Sequence, residues 1–355
     1  MRNITIKEIA GRASVSTTTV SSVLNGGKII VGAGTRQRIL DAVKELGYRP
    51  SRGAKQLRSR KSRVIALQID SRIMSDEAWR PTVLLSLLQV QGICAYARGR
   101  GYDVSLMIPR HGKDVEEIEA QVVKENSVDG IILTGWKDLP EVELEALLAS
   151  LVRCDIPVVT LDYKIYERGY PSVSVNLRAG IKKACSRLVG LGHVRIGYVG
   201  RMGVVNPLDA QQRFDIISEE LASYGLAFPA GYVVDISSEV DCYRKTLKIL
   251  ESAEDRPSCV IYHGDHMAMA GISAIMDLGL EIPGDISVLG IDNAPYAEGA
   301  PVPLATVDQK HYEQGVMLAK QMIDKIENPD SPVPGLSVIE TEFVDRASLG
   351  RAKEA

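Results

Sequence analysis

The apolar positions of this chain change their period near residue 63. Before it they recur at helical spacing: Ile6, Ile9, Ala10 and Ala13 fall at i, i+3, i+4 and i+7, the stripe of a short amphipathic helix. Thr5-Ile6-Lys7-Glu8 is a capping-box pattern, with Thr5 as N-cap and Glu8 reaching back to it. After the brief connection Ser14-Val15, Ser16 caps a second helix with Val20, Val23 and Leu24 inward, and Asn25-Gly26-Gly27 stops it. The spacing predicts a third helix from Thr35 to Leu46, with Ile39, Leu40, Val43 and Leu46 inward and Gly47 as terminator. Two short helices joined by a tight turn and braced by a third give helix-turn-helix geometry.

From Val64 the pattern becomes one of short apolar strands between helical stretches. Strands are predicted at 64–69, 104–108, 130–133, 157–161, 196–199, 259–262 and 287–291. That βαβ rhythm implies two doubly wound parallel sheets, and such sheets bind ligands at the carboxyl ends of their strands. The stretch from Leu84 to Tyr96 is apolar nearly all round, more than one core stripe needs. Its surplus face predicts a subunit interface, extended by Leu278, Leu280 and Ile282. Without leucine heptads near the C-terminus, a dimer is expected rather than a tetramer.

Composition narrows the class. With 45% apolar and 25% charged residues over 355 positions, the chain has ample core and is not globally disordered. No apolar run approaches the ~20 residues that span a bilayer, and Met1 to Thr5 lead into no signal-peptide core. The five cysteines form no C-x-x-C pair and read as reduced core residues of a cytoplasmic protein. The five histidines are scattered, and G-x-G-x-x-G, P-loop, H-E-x-x-H and nucleophile-elbow patterns are all missing. No metal, no cofactor and no enzymatic activity are expected.

Charge separates the two parts. Residues 1–62 hold 13 Lys and Arg against Glu8, Asp41 and Glu45, whereas the rest holds 29 Lys and Arg against 42 acidic residues. A basic module on an acidic body suits phosphate binding, because each neutralised phosphate releases condensed counterions. The outward residues of the second helix are predicted to be Thr17, Thr18, Ser21 and Ser22, small hydroxyls that serve phosphates or base edges. Next comes a basic segment, 48–61, in which Ser51 could cap a helix too short to fold without a partner. Leu57 is its lone large apolar residue, suited to a wedge in the minor groove.

Thr5-Ile6-Lys7-Glu8-Ile9-Ala10, Val15-Ser16-Thr17-Thr18-Thr19-Val20-Ser21, Val23-Leu24-Asn25 and Leu46-Gly47-Tyr48-Arg49-Pro50 together resemble the lactose-repressor/galactose-repressor (LacI/GalR) family of bacterial regulators. The resemblance runs on through Gly190-Leu-Gly-His193-Val-Arg195-Ile, Ile282-Pro-Gly-Asp-Ile-Ser-Val-Leu-Gly-Ile-Asp292-Asn293 and Pro303-Leu-Ala-Thr306. It implies an all-α helix-turn-helix DNA-binding headpiece at 1–50 and a hinge helix at 51–62. An α/β two-lobed, periplasmic-binding-protein-like sensor domain would follow at 63–355. One lobe would span about 63–171 and 300–334, the other about 172–299 and 335–350. Expected DNA contacts are Thr5, Ser16, Thr17, Thr18, Thr19, Ser21, Ser22, Asn25, Tyr48, Arg52, Ala54, Lys55, Leu57 and Arg58, on a pseudo-palindromic double-stranded operator. There are departures: Ser14 stands where Gly is usual, Ser22 where Arg is frequent, Ser51 where Asn is common. The loop 26–34 is also longer and richer in glycine.

For the effector, the resemblance implies contacts from Asp70, Thr134, Trp136, Asp162, Arg213, Asp292 and His311, with Asp292 as the acidic partner of Arg213 across the cleft. Asp70 could equally be a helix cap, Trp136 a surface aromatic and Asp162 an orienting group. Gly264 replaces a frequent Asn and His311 a frequent aromatic, so the pocket is altered. Carboxylates, an arginine and an indole suit a polyhydroxylated ligand, a sugar or sugar derivative, whereas a purine would want more aromatic planes than three Phe supply. The expected whole is a cytoplasmic, homodimeric repressor controlled by a small effector. A global regulator controlled by a protein corepressor, a sugar receptor and a sugar-processing enzyme are the alternatives. Leu57→Ala is expected to abolish sequence-specific binding while leaving salt-sensitive nonspecific binding, measured by electrophoretic shift with specific and random duplexes; unchanged specific affinity would remove the wedge.

Overall fold

The computed structural model describes residues 4–25, 29–48, 62–69, 83–108, 117, 118, 122, 127–134, 141–161, 169–201, 207–251, 256–331 and 335–353, the side chains of 25, 141, 143 and 207–210 excepted. The chain divides into two units, Met1–Ser62 and Arg63–Ala355. The hinge helix expected at 51–62 therefore falls almost wholly outside the described residues.

In the first unit α1 (Ile6–Ala13), α2 (Thr17–Asn25) and α3 (Ala33–Leu46) enclose a small core. The capping box forms as expected, with Thr5 N–H donating to Glu8 Oε2 at 2.8 Å and Glu8 N–H to Thr5 Oγ1 at 3.4 Å. Ile9, Val20 and Ile39 are fully buried, each contributing roughly 1.5–3 kcal/mol. Ser14 closes α1 at φ +54, in the left-handed region where glycine carries no steric penalty. Leu40, expected inward, is 40% exposed, and Ala42 takes its place in the core. From Ile39 the buried stripe runs through 42, 43 and 46, and position 40 lies a hundred degrees off it.

The second unit holds two parallel sheets. The first is ordered β11-β5-β4-β3-β1-β2, from β1 (Val64–Gln68), β2 (Asp103–Met107), β3 (Gly130–Leu133), β4 (Val158–Leu161), β5 (Ser172–Asn176) and β11 (Leu336–Glu340). Ile65, Leu67, Ile132 and Val159 face α4 (Val83–Gly99) and α10 (His311–Glu327), while Ala66, Ile131, Leu133 and Val158 face α5 (Glu141–Arg153). The second sheet is ordered β7-β6-β8-β9, from β6 (Ile196–Gly200), β7 (Val233–Asp235), β8 (Cys259–Tyr262) and β9 (Ser287–Leu289). One of its faces packs on α6 (Leu177–Gly190) and α7 (Pro207–Ala222), the other on α8 (Glu239–Leu250) and α9 (Asp265–Asp277). Both faces of each sheet are covered, which is why the central strands read as continuous apolar runs. Among the described residues no helix is long and apolar enough to cross a membrane.

The lobe boundary differs from the expected one. β5 and β11 both belong to the first sheet, so residues 172–176 and 336–340 extend the first lobe. β10 (Thr306–Asp308) pairs antiparallel with β12 (Glu342–Val344), and the bridges Leu289–Ala305 and Asp292–Asp308 tie 305–308 to the second lobe. The chain crosses between lobes after these strands, which their polar, half-exposed sequences conceal.

Two glycines set how closely the first lobe packs. A Cβ on Gly92 of α4 would stand 2.1 Å from the Tyr312 carbonyl oxygen, and one on Gly315 of α10 would stand 2.1 Å from that of Gln89. The two helices thus meet backbone to backbone. Gly92→Ala is expected to destabilise the second unit by about 3 kcal/mol through overpacking. Gly99→Ala on the same helix, with nothing within 4 Å of the added Cβ, is expected to be tolerated. Urea unfolding of both variants checks the pair, and equal midpoints would refute the close-packing account.

Candidate functional site

The headpiece presents a polar face on α2. Ser16, Thr17 and Thr18 are exposed and Ser21 is half-buried. Ser16 Oγ accepts from the Thr19 N–H at 3.1 Å and lies 2.8 Å from Thr19 Oγ1, so these two hydroxyls also build the helix start. Thr5 is exposed beside its own cap, and Tyr48 packs partly against the headpiece core. Asn25 ends α2, its side chain outside the described set, and Arg52, Ala54, Lys55, Leu57 and Arg58 lie outside the described residues.

Ser22 corrects the expected outward set. It is only 8% exposed, and its Oγ accepts from the Ile29 N–H at 3.0 Å. The long loop after α2 folds back onto this position, so Ser22 pins the loop and does not line the open face. The same loop leaves Ile30 97% exposed.

In the second unit the polar residues gather at the carboxyl ends of β6, β8 and β9. Asp292, three residues past β9, is 4% exposed and sits at φ +122, a backbone conformation that costs on the order of 1–3 kcal/mol in a residue with a side chain. It is over-determined: its N–H donates to the Val307 carbonyl at 2.9 Å, and Gln309 Nε2 donates to its Oδ1. Arg213, on α7, places Nη1 3.5 Å from Asp292 Oδ1 and donates to the His263 carbonyl at 2.6 Å. Arg213 and Asp292 are therefore an ion pair within the second lobe, where a pairing across the cleft was expected. They come together because α7 packs against the sheet whose strand end carries Asp292.

Behind this pair lies a buried carboxyl. Asp265 accepts from Thr306 Oγ1 at 2.6 Å and from the Ala294 N–H at 2.7 Å. Burial, and then the neighbouring charge of Asp292, hold it well above the usual carboxylate range. Next to it stands Gly264, where a Cβ would lie 3.0 Å from both Asp292 Oδ2 and His266 Cε1. A side chain here, such as the asparagine frequent in the resembled family, would have to displace the His266 ring or the Asp292 carboxylate. Burial first, then Arg201 and Arg213, lower the His266 pKa to about 4, so the ring is neutral at physiological pH.

From the first lobe, Thr134 follows β3, but its Oγ1 donates to the Gln68 carbonyl at 2.8 Å, which ties it to the sheet. His311 opens α10 and is half-buried. Asp70, Trp136 and Asp162 lie outside the described residues. Arg201, His263, His266 and Gln309 were not anticipated; the one available signal was the glycine at 264, two residues before His266. A second polar pair, His193 Nδ1 with Ser258 Oγ at 2.9 Å, is no catalytic dyad. His193 is 1% exposed, and its Nε2 lies 3.0 Å from the Gly350 carbonyl, so the ring clamps the C-terminal segment. What the Arg213–Asp292 wall offers is directional hydrogen bonding to hydroxyls and acid groups.

Comparison with known proteins agrees with both units. Residues 5–51 match the family described as bacterial regulatory proteins, lacI family, and residues 185–349 match a periplasmic binding protein-like domain. The chain is 27% identical over 325 residues to the HTH-type transcriptional repressor PurR of Aliivibrio salmonicida (strain LFI1238), covering 91% of this chain and 92% of that protein. It is 26% identical over 347 residues to the ribose operon repressor of Haemophilus influenzae, covering 97% and 98%. Among solved structures, a lac repressor dimer bound to operator and the anti-inducer ONPF shares the fold at TM-score 0.78 and 23% identity, covering 98% of this chain and 99% of that one. The CelR–cellobiose complex does so at TM-score 0.63 and 24% identity over 98% and 100%.

His266 makes the wall sensitive to acid. Its folded-state pKa lies below the unfolded value near 6.5, so its stabilising contribution is complete above pH 6.5 and is lost as pH falls toward about 4. His266→Gln is expected to flatten the decline in melting temperature between pH 6.5 and 4.5, measured by calorimetry. A decline as steep as in the unsubstituted protein would show that the ring is not buried neutral.

Proposed function

This chain belongs to the lacI family of bacterial regulatory proteins, DNA-binding transcriptional regulators with a ligand-binding body, and from that premise we propose that it is a cytoplasmic, homodimeric repressor controlled by a polyhydroxylated effector. The observation that carries the DNA-binding half is the hydroxyl face at the start of α2, with Ser16, Thr17 and Thr18 exposed and Ser21 half-buried, set in a segment with 13 Lys and Arg against three acids. Small hydroxyls approach base edges and phosphates closely, while the cationic segment supplies the salt-dependent affinity. With Ser22 turned inward, the frequent arginine contact is replaced and the operator code is this chain's own.

Support for the effector half is the strained, ion-paired wall at Arg213 and Asp292. Strain persists where surrounding structure imposes it, and it clusters at binding sites. A guanidinium donates to, and a carboxylate beside it accepts from, vicinal hydroxyls, and relatives of the same fold hold cellobiose and ribose. Effector binding alters the closure of the two lobes. In a dimer that changes the spacing of the paired 51–62 segments, so operator contacts are lost or gained together. By linkage, operator binding changes effector affinity by the same factor. The dimer itself is supported by exposed apolar side chains on both lobes: Leu84, Leu87, Leu106 and Ile108 on the first, Met276 and Leu278 on the second.

Selection of genomic fragments by the purified full chain, without added ligand, tests this reading. Enrichment of a pseudo-palindrome with a deformable central step is the expected result, at affinities on the order of 10⁻⁸ M or tighter at physiological salt. Failure to enrich any sequence would overturn the autonomous repressor and turn attention to a corepressor-dependent form.

A further inference from the structure

Asp292 projects from a turn that is unfavourable at two consecutive residues. Asp292 stands at φ +122 and Asn293 at φ +53, both conformations that residues with side chains rarely adopt. Three backbone N–H groups anchor the turn. Asp292 N–H donates to the Val307 carbonyl at 2.9 Å, Asn293 N–H to Thr306 Oγ1 at 3.2 Å and Ala294 N–H to Asp265 Oδ2 at 2.7 Å. The Asn293 side chain has a different partner.

That partner is Arg346, half-buried and two residues past β12. Its Nη2 donates to Asn293 Oδ1 at 2.8 Å and its Nη1 to the Leu304 carbonyl at 2.7 Å. One planar guanidinium thus joins the turn after β9 to the residues that lead into β10. The segment carrying Arg346 is itself anchored on both sides. Before it, β12 pairs with β10 from Thr306–Val344 to Asp308–Glu342, and Arg187 Nε lies 2.8 Å from Asp345 Oδ2. After it, the buried Ser348 Oγ accepts from the Ala305 N–H at 2.8 Å and donates to the Val288 carbonyl at 2.6 Å. The same segment has just left the first sheet at Thr341, whose buried Oγ1 donates to the Asn176 carbonyl at 2.7 Å and accepts from the Gly180 N–H at 2.9 Å. Arg346 therefore stands on a well-held strand end, and Asn293 on a strained turn.

Resting on the effector reading above, we infer that Arg346 is a positioning residue for effector binding. It acts on Asn293 and the Leu304 carbonyl, and through them sets the direction in which Asp292 presents its carboxylate. Arg213 and Gln309 meet Asp292 at its Oδ1, whereas Arg346 fixes the turn from which that carboxylate projects. Asparagine suits position 293 twice over: it tolerates the left-handed backbone, and its short side chain brings an amide oxygen to the guanidinium. A lysine at 346 would keep the charge and lose the fork that spans both acceptors.

Hydrogen–deuterium exchange of the full chain, read by mass spectrometry over residues 289–296, reports on the turn through its three bonded amides. Arg346→Gln is expected to speed exchange there about tenfold, through loss of hydrogen bonds from a charged donor, with 196–200 and 259–262 exchanging as before. Arg346→Lys is expected to fall between the two. In Asn293→Gly, which keeps the left-handed backbone and lacks the acceptor, adding Arg346→Gln is expected to change little further. Ribose and cellobiose at millimolar concentration are the ligand probes. Either sugar is expected to slow exchange at 289–296 in the unsubstituted chain, and Arg346→Gln to lose most of that protection. Unchanged exchange at 289–296 in Arg346→Gln overturns the proposal, as does equal acceleration in every strand, which marks a general loss of stability. Full sugar protection in Arg346→Gln overturns it too. If the turn loosens as expected but neither sugar slows it in the unsubstituted chain, the polyhydroxylated effector falls and the positioning of Asp292 by Arg346 stands.

Discussion

One buried carboxyl organises the second lobe. Asp265 accepts from Thr306 Oγ1 on β10 and from the Ala294 N–H beyond β9, and so joins the start of α9 to both segments around the Asp292 turn. Asp292 and Asn293 are held at positive φ by the Asp292 N–H bond to the Val307 carbonyl, the Asn293 N–H bond to Thr306 Oγ1 and the Arg346 guanidinium on Asn293 Oδ1, since each conformation is unfavourable by itself. Burial, and then the neighbouring charge of Asp292, push the Asp265 carboxyl above the usual carboxylate range, while Asp292 itself stands beside Arg213. An internal polar contact thereby fixes the segments on either side of Asp292, the group proposed to face the ligand. The penalty of burying a polar group is offset by its two donors.

The first lobe solves a different problem by different means. Its sheet is covered by α4 and α10, which approach until backbone meets backbone at Gly92 and Gly315. That contact leaves the outer side of α4, Leu84 and Leu87, exposed and apolar. Packing and exposure on one helix are thus two results of the same sequence: small residues inward where a neighbour is close, large ones outward where a second copy is proposed to sit.

In the headpiece, Ile29 and Ile30 after α2 bear on the polar face of that helix. Ser22 bonds to Ile29 and leaves the open face, and Ile30 stands almost fully in solvent. A polar side chain expected outward is thus turned in, while an apolar one nearby lies in solvent. The helical scaffold is unaffected, because its core of Ile9, Val20 and Ile39 depends on positions the loop does not touch.

Much of this was legible along the chain because the signals are local. The Thr5–Glu8 box, the stripe of Ile9, Ala10 and Ala13, and the apolar runs of β1, β3, β4, β6 and β8 are set by helix and strand periods, which neighbouring residues alone express. What the chain could not express locally is contact between distant residues. Arg213 and Asp292 share a lobe, Ser22 points inward, β5 and β11 belong to the first sheet, and Asp265 meets Thr306. Each of these depends on segments separated in sequence, brought together by sheet order and helix packing. Periodicity specified the elements, and tertiary packing decided which side chains they bring face to face.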